Sequence, residues 1–377
     1  MNIDWVSQEN HLLLNPRLPR ETGEVYERAW SRLEFNGQVG IVTSGSTTVG
    51  FGRLIVISKN ALLMSAYAVN TFLQSTKNDV WMKTLPNFHV GGLGIYTRAH
   101  LSGATVVESQ LTRWDATDFF DELVTSRATL LSLVPTQVFD LVKTGFHGPP
   151  SLRSIIVGGG RLDAELAHAA IALGWPVLPS YGLTECGSQV ATAFSSADQS
   201  LRPLSHVEIR IAKDDHIEIR SAALLATQIS FTVDGTPTVN DPKHGGWFRT
   251  EDRGRLEFDG SLTVFGRSQD FVKIGGEGVA LPQLEEKLER LRMNSGFESE
   301  AVLMAVADER LGAKIILVSN APEAIARTLV DNFNSAVLPF ERIRATYCVP
   351  AIPRSALGKL LRGETLALVG HEPVVNV

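Results

Sequence analysis

SIIVGGGRLDAELAHAAIALGWPVLPSYGLTE, Ser154–Glu185, runs from a short apolar segment through three glycines into an alanine-rich stretch, then returns to a second apolar segment. This order predicts a strand, a tight turn, a helix and another strand. The same alternation extends toward the N-terminus through residues 136–143, 130–135, 114–127, 104–109, 79–86 and 58–73, and it reaches the apolar run VGIVTSG at 39–45. Buried strands separated by helices of this length indicate a layered α/β domain with a largely parallel sheet. Such sheets bind ligands beyond the carboxyl ends of their strands, which is where the glycine segments fall.

Toward the C-terminus the texture changes. After Ser205, the segments VEIRIA, HIEIRS and TQISFTV alternate apolar and polar residues between Gly, Asp and Pro turns, predicting a β-rich subdomain that leads into WFRTED at 247–252. A third region begins near Gln269. There Leu281, Leu284, Leu288 and Leu291 recur at helical spacing, AVLMAVA and IILVS read as strands, and a helix over about 322–337 precedes a strand at 346–349. The expected organisation is a large layered N-terminal α/β domain with a β-rich subdomain over 1–268 and a small α+β domain over 269–377. The sequence shows no internal repeat and no low-complexity segment.

Composition narrows the function classes. A chain of 377 residues that is 44% hydrophobic has the length and apolar content for two or three cored domains. The net charge of -6 leaves no excess of Lys and Arg to replace phosphate counterions, which excludes unspecific nucleic-acid binding. The first residues lack the basic start and long apolar core of a secretory signal, and no apolar run has the length of a membrane span. Cys186 and Cys348 are too few for a disulfide framework or a four-cysteine zinc site, so a reducing cytoplasm is the expected setting.

Four segments carry chemistry. TSGSTTVGFGR, Thr43–Arg53, follows an apolar run and offers the hydroxyls of Thr43, Ser44, Ser46 and Thr47 beside Gly45 and Gly50, a composition suited to polyphosphate. Phe51 and Gly52 stand where a Walker-type loop requires Lys and then Ser or Thr, so that reading fits poorly. An ordinary Ser/Thr/Gly turn accounts equally well for the segment taken alone. Gly158, Gly159 and Gly160 let a nucleotide base approach the backbone, but Asp163 occupies the third position of a dinucleotide fingerprint, and a structural strand-to-helix turn explains the glycines as well.

In SYGLTECGSQ, Tyr181 offers a flat stacking face, Thr184 a hydroxyl for phosphate, and Glu185 a hard oxygen ligand suited to Mg²⁺. The neighbouring Cys186 has no evident base and reads as a packing residue. In the fourth segment, WFRTEDRGRLEFDGSLTVFGRSQDFVKIGGEGVALPQLE at 247–285, the Asp252 carboxylate suits two ribose hydroxyls, and Arg267 offers planar donors to ribose or phosphate. A structural ion pair is the alternative use of both. Lys359, in IPRSALGKLLR, places a cation near the C-terminus.

Taken in this order, the motifs resemble the acyl-adenylate-forming superfamily, which activates carboxylates with ATP. The match runs from about Gln38 to Arg362. It is most similar to the branch that activates 2-succinylbenzoate in menaquinone biosynthesis, through LPNFHVGGLGIYTR, SLVPTQV, IIVGGG, SYGLTECGSQ and GGEGVALPQLE. The resemblance implies an AMP-forming CoA ligase with ATP, Mg²⁺ and CoA as partners. It assigns pyrophosphate to Thr43, Ser44, Gly45, Ser46 and Thr47, and adenine to Gly158, Gly159, Gly160, Tyr181 and Gly182. Thr184 falls on the phosphates, Glu185 on Mg²⁺, and Asp252 and Arg267 on ribose and its phosphate.

By the same resemblance, Lys359 supports adenylation. A hinge near Gln269 then exchanges it for the Lys273–Gly278 segment, with Gly275 and Gly276, during thioester formation. His89 and Ser188 line the acyl pocket, and Arg98 is the candidate anchor for a second carboxylate, with a helix-end surface charge as its equal alternative.

Three departures stand against the family pattern. Arg53 replaces the common Lys, with Gly52 replacing Pro and one residue added after Thr47; Glu251 replaces the usual Gly before Asp252; and only about forty residues precede the phosphate loop. The last departure implies a missing part of the N-terminal subdomain, compensated by a compact pocket or a homo-oligomer partner, or else impaired activity. A ligase for another aryl or medium-chain acid, and a non-catalytic nucleotide- or acyl-binding relative, are the competing expectations.

Overall fold

The computed structural model describes residues 3–43, 51–232, 234–267, 271–274, 277–308, 310–355 and 358–371. Ser44, Gly45, Ser46, Thr47, Gly275, Gly276 and the expected hinge at Gln269 lie outside the described residues.

The segment that predicts the fold is a strand–helix–strand unit. Ser154–Val157 leads through the glycines to the helix Ala164–Ala172, and Val177–Leu183 returns parallel to the first strand, with Ile155 opposite Val177. Asp163 starts the helix: its carboxylate accepts from the backbone N–H groups of Glu165 and Leu166, which have no partner within the helix. Its place in a failed dinucleotide fingerprint is thereby explained as a cap.

Five parallel strands form one half of a twelve-stranded sheet, in the order Thr105–Glu108, Val80–Lys83, Leu130–Leu133, Ser154–Val157 and Val177–Leu183. They read as unbroken apolar runs because both faces are covered. Leu131, Leu133, Ile155 and Val157 pack on one side with Phe119 and Trp175, whereas Leu130 and Ile156 pack on the other with Ile95 and Val69. Each such buried aliphatic side chain contributes about 1.5–3 kcal/mol relative to exposure.

Of the short strands expected after Ser205, Val207–Ile211 and His216–Ser221 continue this sheet with antiparallel pairing, whereas Thr227–Phe231 pairs antiparallel with Arg53–Ser58 in a separate five-stranded sheet. The far half of the twelve-stranded sheet runs through Ser188–Ala193, Leu201–Pro203, Leu262–Arg267, Trp247–Leu256, His216–Ser221 and Val207–Ile211. The expectation that VGIVTSG joins the parallel alternation is corrected. Gln38–Thr43 pairs antiparallel with Arg53–Ser58 in the five-stranded sheet, with Thr43 opposite Arg53. An apolar run records burial but not its partner's direction, and the strand at Arg53–Ser58 abuts the next helix without an intervening turn signal.

Beyond residue 270, the hairpin of Phe271–Ile274 and Glu277–Ala280, the helices Leu281–Ser295 and Glu323–Ser335, and a three-stranded sheet bury their own cores. Leu281, Leu284 and Leu288 line the buried face of the first helix, as their spacing requires. The architecture is mixed α/β, with a large layered N-terminal part and a smaller α+β C-terminal part.

Candidate active site

The site forms where the two large sheets meet at the ends of their strands. Tyr181, near the end of Val177–Leu183, donates its hydroxyl proton to Asp252 Oδ2 at 2.8 Å. Burial, followed by the Asp252 carboxylate, pushes the Tyr181 phenol well above its ordinary value, which keeps it a donor. Asp252 lies opposite Arg267 on the neighbouring strand, with Arg267 Nε 3.9 Å from Asp252 Oδ1.

Glu251 faces two guanidinium groups. Its Oε1 accepts from Arg53 Nη2 at 2.9 Å, and its Oε2 lies 3.6 Å from Arg267 Nη1. Arg53 and Glu251 are therefore partners. Thr43 closes the group, its hydroxyl donating to the Arg53 carbonyl at 3.3 Å.

Glu185 sits in the single turn Thr184–Cys186 that connects Val177–Leu183 to Ser188–Ala193. Burial raises its carboxyl above the usual carboxylate range, Arg53 and Arg267 pull it back, and Glu251 adds to the rise. One hard carboxylate near the Arg53 and Arg267 guanidinium groups fits Mg²⁺, which takes one or two protein carboxylates and completes its shell with phosphate and water. Cys186 is fully buried with its thiol pushed up to about 12, which fits the packing role and no nucleophile.

The turn at Tyr181–Gly182 depends on glycine. A Cβ on Gly182 would fall 2.1 Å from the Ser188 carbonyl oxygen, so a side chain there would force the two strands apart. Gly158, Gly159 and Gly160 lie beside this turn. Ser180 Oγ donates to the Val157 carbonyl at 3.1 Å, and a Cβ on Gly158 would meet Ser180 Oγ at 3.2 Å.

Lys359 lies on an exposed loop held by Ser355 N–H donating to its carbonyl at 2.8 Å and by the Arg354–Leu360 bridge. Gly358 approaches Thr136 at the start of the helix Pro135–Thr144, next to Pro135, which in turn neighbours Gly160. The chain thus brings the Lys359 loop to the edge of the glycine turn.

Arg98 is the main resolution of an open reading. It is 2% exposed, which overturns the helix-end surface charge. Its Nη2 donates to Ser188 Oγ at 3.0 Å, its guanidinium lies 5.4 Å from the Trp81 ring centre, and its Nε and Nη1 have no hydrogen-bond partner. Burial lowers its pKa to about 10, so it remains a cation at neutral pH. Gly94, one turn earlier, provides the space: a Cβ there would lie 3.1 Å from Arg98 Nη2.

His89 occupies the N-cap position of the same helix, Val90–Ser102, without a side-chain capping bond, and its ring is tilted against that of Phe88 with centres 4.6 Å apart. Burial lowers its pKa, favouring neutral imidazole. Because helical side chains lean toward the N-terminus, the Arg98 guanidinium lies about a turn behind its Cα, leaving about 8 Å of helix rise to His89. Trp81 and Thr250, whose hydroxyl accepts from Asp252 N–H at 3.1 Å, were not found from sequence. Both lie within strands whose pattern signals burial alone.

The family described as AMP-binding enzyme matches residues 39–221. A curated 2-succinylbenzoate–CoA ligase from Bacillus mycoides is 29% identical over 351 residues, covering 87% of this chain and 69% of that protein. Among solved structures, an o-succinylbenzoate CoA synthetase (MenE) from Bacillus subtilis in complex with the acyl-adenylate intermediate OSB-AMP superposes with a TM-score of 0.73 at 25% identity. It covers 86% of this chain and 68% of that one. Over residues 39–221 the chain matches the AMP-binding enzyme family, and its fold is that of these adenylate-forming enzymes. A second structure of the Bacillus subtilis enzyme, with ATP and magnesium ion, gives the same TM-score and identity and covers 87% of this chain and 69% of that one.

Proposed function

We propose that this protein is an AMP-forming 2-succinylbenzoate–CoA ligase of menaquinone biosynthesis, working in the cytoplasm with ATP, Mg²⁺ and CoA. The observation that carries the substrate class is Arg98: a buried cation with two unpartnered nitrogens, on the helix that begins at His89, is completed by an anionic group. A dicarboxylic acid supplies one carboxylate for that contact and leaves the other to react. Curated relatives named 2-succinylbenzoate–CoA ligase support the assignment.

In the first step the substrate carboxylate oxygen attacks the α-phosphorus of ATP, the bond to the bridging oxygen breaks, and pyrophosphate leaves. Asp252 accepts hydrogen bonds from the ribose hydroxyls, with Tyr181 fixing its orientation. Arg267 and Arg53 offset phosphate charge. Glu185 would hold Mg²⁺, which neutralises phosphate charge when bound. Lys359 stabilises the charge that accumulates at the transferring group. In the second step the CoA thiolate attacks the acyl carbon and AMP departs.

The separate cores buried beyond residue 270 support an exchange of C-terminal faces between these steps, with the segment at 273–278 replacing Lys359. The test is acid-dependent pyrophosphate release and thioester formation from MgATP and CoA, comparing 2-succinylbenzoate with benzoate and medium-chain acids. Selective turnover of 2-succinylbenzoate is expected. Turnover of another acid moves the substrate, and ATP binding without turnover favours a non-catalytic relative.

A further inference from the structure

Three carboxylates, Glu185, Glu251 and Asp252, share the nucleotide end of the site with two guanidinium groups, Arg53 and Arg267. On the proposed reading, Asp252 has the ribose and Glu185 has Mg²⁺. Glu251 has no such employment, yet it contacts both cations. It joins strands from different sheets, with 198 residues separating Arg53 from Glu251.

We infer that Glu251 is an internal anion that occupies Arg53 and Arg267 in the absence of nucleotide and is displaced from them by the polyphosphate of ATP. The geometry has two consequences. First, the contacts are bidirectional and solvent reaches them, since the Glu251 side chain is 42% exposed and those of Arg53 and Arg267 are 29% and 33% exposed. Such pairs are weak enough to exchange for a polyphosphate carrying several negative charges. Second, Arg53 lies directly opposite Thr43, where the phosphate loop begins, whereas Arg267 lies opposite Asp252 on the ribose side. Competition by Glu251 therefore falls most strongly on the β- and γ-phosphates. Glu251 is a positioning residue that weakens ATP and pyrophosphate binding together, and so favours pyrophosphate departure after adenylation.

The inference rests on the nucleotide-site reading, and calorimetric titration of the whole protein separates the two. Wild type, Glu251→Gln and Glu251→Asp are titrated with MgATP and with AMP. Removing the competing charge in Glu251→Gln is expected to tighten MgATP by about threefold to tenfold, the effect of releasing one or two exposed ion pairs, with a smaller change for AMP. Glu251→Asp should stay near wild type. In an Arg53→Gln background, the gain from Glu251→Gln should shrink to about twofold or less, because one of the two competed cations is gone.

A merely structural role would move ATP and AMP affinity together and show no dependence on Arg53. Equal shifts for the two ligands, or weaker ATP binding in Glu251→Gln, would overturn the inference while leaving the nucleotide site standing. Wild-type protein that binds neither MgATP nor AMP would remove both.

Discussion

Arg161 Nη2 lies 2.7 Å from Glu286 Oε1, joining the turn after Gly160 to the helix Leu281–Ser295. Arg290 and Glu165, 3.7 Å apart, repeat the contact with the charges exchanged. Together they set the C-terminal segment against the glycine turn in the same arrangement that brings Gly358 to Thr136.

Reversing one charge should disturb this arrangement selectively. Arg161→Glu is expected to lower pyrophosphate release by about twofold to fivefold, the scale of an exposed ion pair turned repulsive. Thioester formation from supplied acyl-adenylate should change less. Arg161→Glu combined with Glu286→Arg should restore the rate, and the defect should fade in high salt. Loss of both steps to the same extent in the single variant would show that the pair supports stability alone.

Arg98 predicts opposite effects on stability and activity. A buried cation without a carboxylate partner among the described residues opposes folding, because burial depresses its pKa and so disfavours the charged folded form. Arg98→Met should raise the unfolding free energy of the ligand-free protein by about 1–3 kcal/mol. It should also raise KM for the dicarboxylic acid by at least about thirtyfold, as removal of a buried charge partner costs 2 kcal/mol or more. Thermal unfolding without ligand and a KM comparison with a monocarboxylic acid check both signs. A variant that loses stability and keeps its dicarboxylate preference would remove Arg98 from the acyl site.

The parts legible from sequence share one property: they are written in neighbouring residues. The strands at 130–133 and 154–157 declare burial on both faces, and Asp163 stands at the start of its helix. Tyr181, Thr184 and Glu185 lie within five residues. The parts that escaped depend on distant pairing. The partner of Gln38–Thr43, the contact of Arg53 with Glu251, and the burial of Arg98 between Trp81 and Ser188 arise only when separate elements pack.

Acid stability should depend on Asp79. Burial alone would raise its carboxyl, but hydrogen bonds from Arg153, the Thr76 backbone and Thr129 outweigh that effect and hold it at about 2. Because the folded value lies below the unfolded one, Asp79 stabilises the protein above pH about 4, and that contribution is lost as pH falls toward 2. Asp79→Asn is expected to cost about 2 kcal/mol at neutral pH, and progressively less below pH about 4. Denaturant titrations at pH 7 and pH 3 measure the difference. A penalty that does not shrink at low pH would mean that packing and not charge carries the effect.

Lys359 provides the sharpest division between the two chemical steps. The lysine is on an exposed loop, so its truncation has little packing to disturb, and the bonds that hold the loop, from the Ser355 N–H to the Lys359 carbonyl and from Arg354 Nη1 to the Gly358 carbonyl, do not depend on its ammonium. The loop reaches the glycine turn through Thr136 and Pro135, and on the proposed reading its ammonium serves the transferring phosphoryl group. A preorganised cation at a transferring phosphoryl group is worth about 10²–10³ in rate. Lys359→Ala should therefore lower pyrophosphate release by about that factor, with little change in thermal midpoint. Conversion of supplied acyl-adenylate and CoA to thioester should remain within about threefold of wild type, because no phosphoryl transfer occurs in that step. Single-turnover measurements starting from acid plus ATP and from acyl-adenylate separate the two. Equal loss in both would place Lys359 in domain positioning and leave the charge at the α-phosphorus to Arg267.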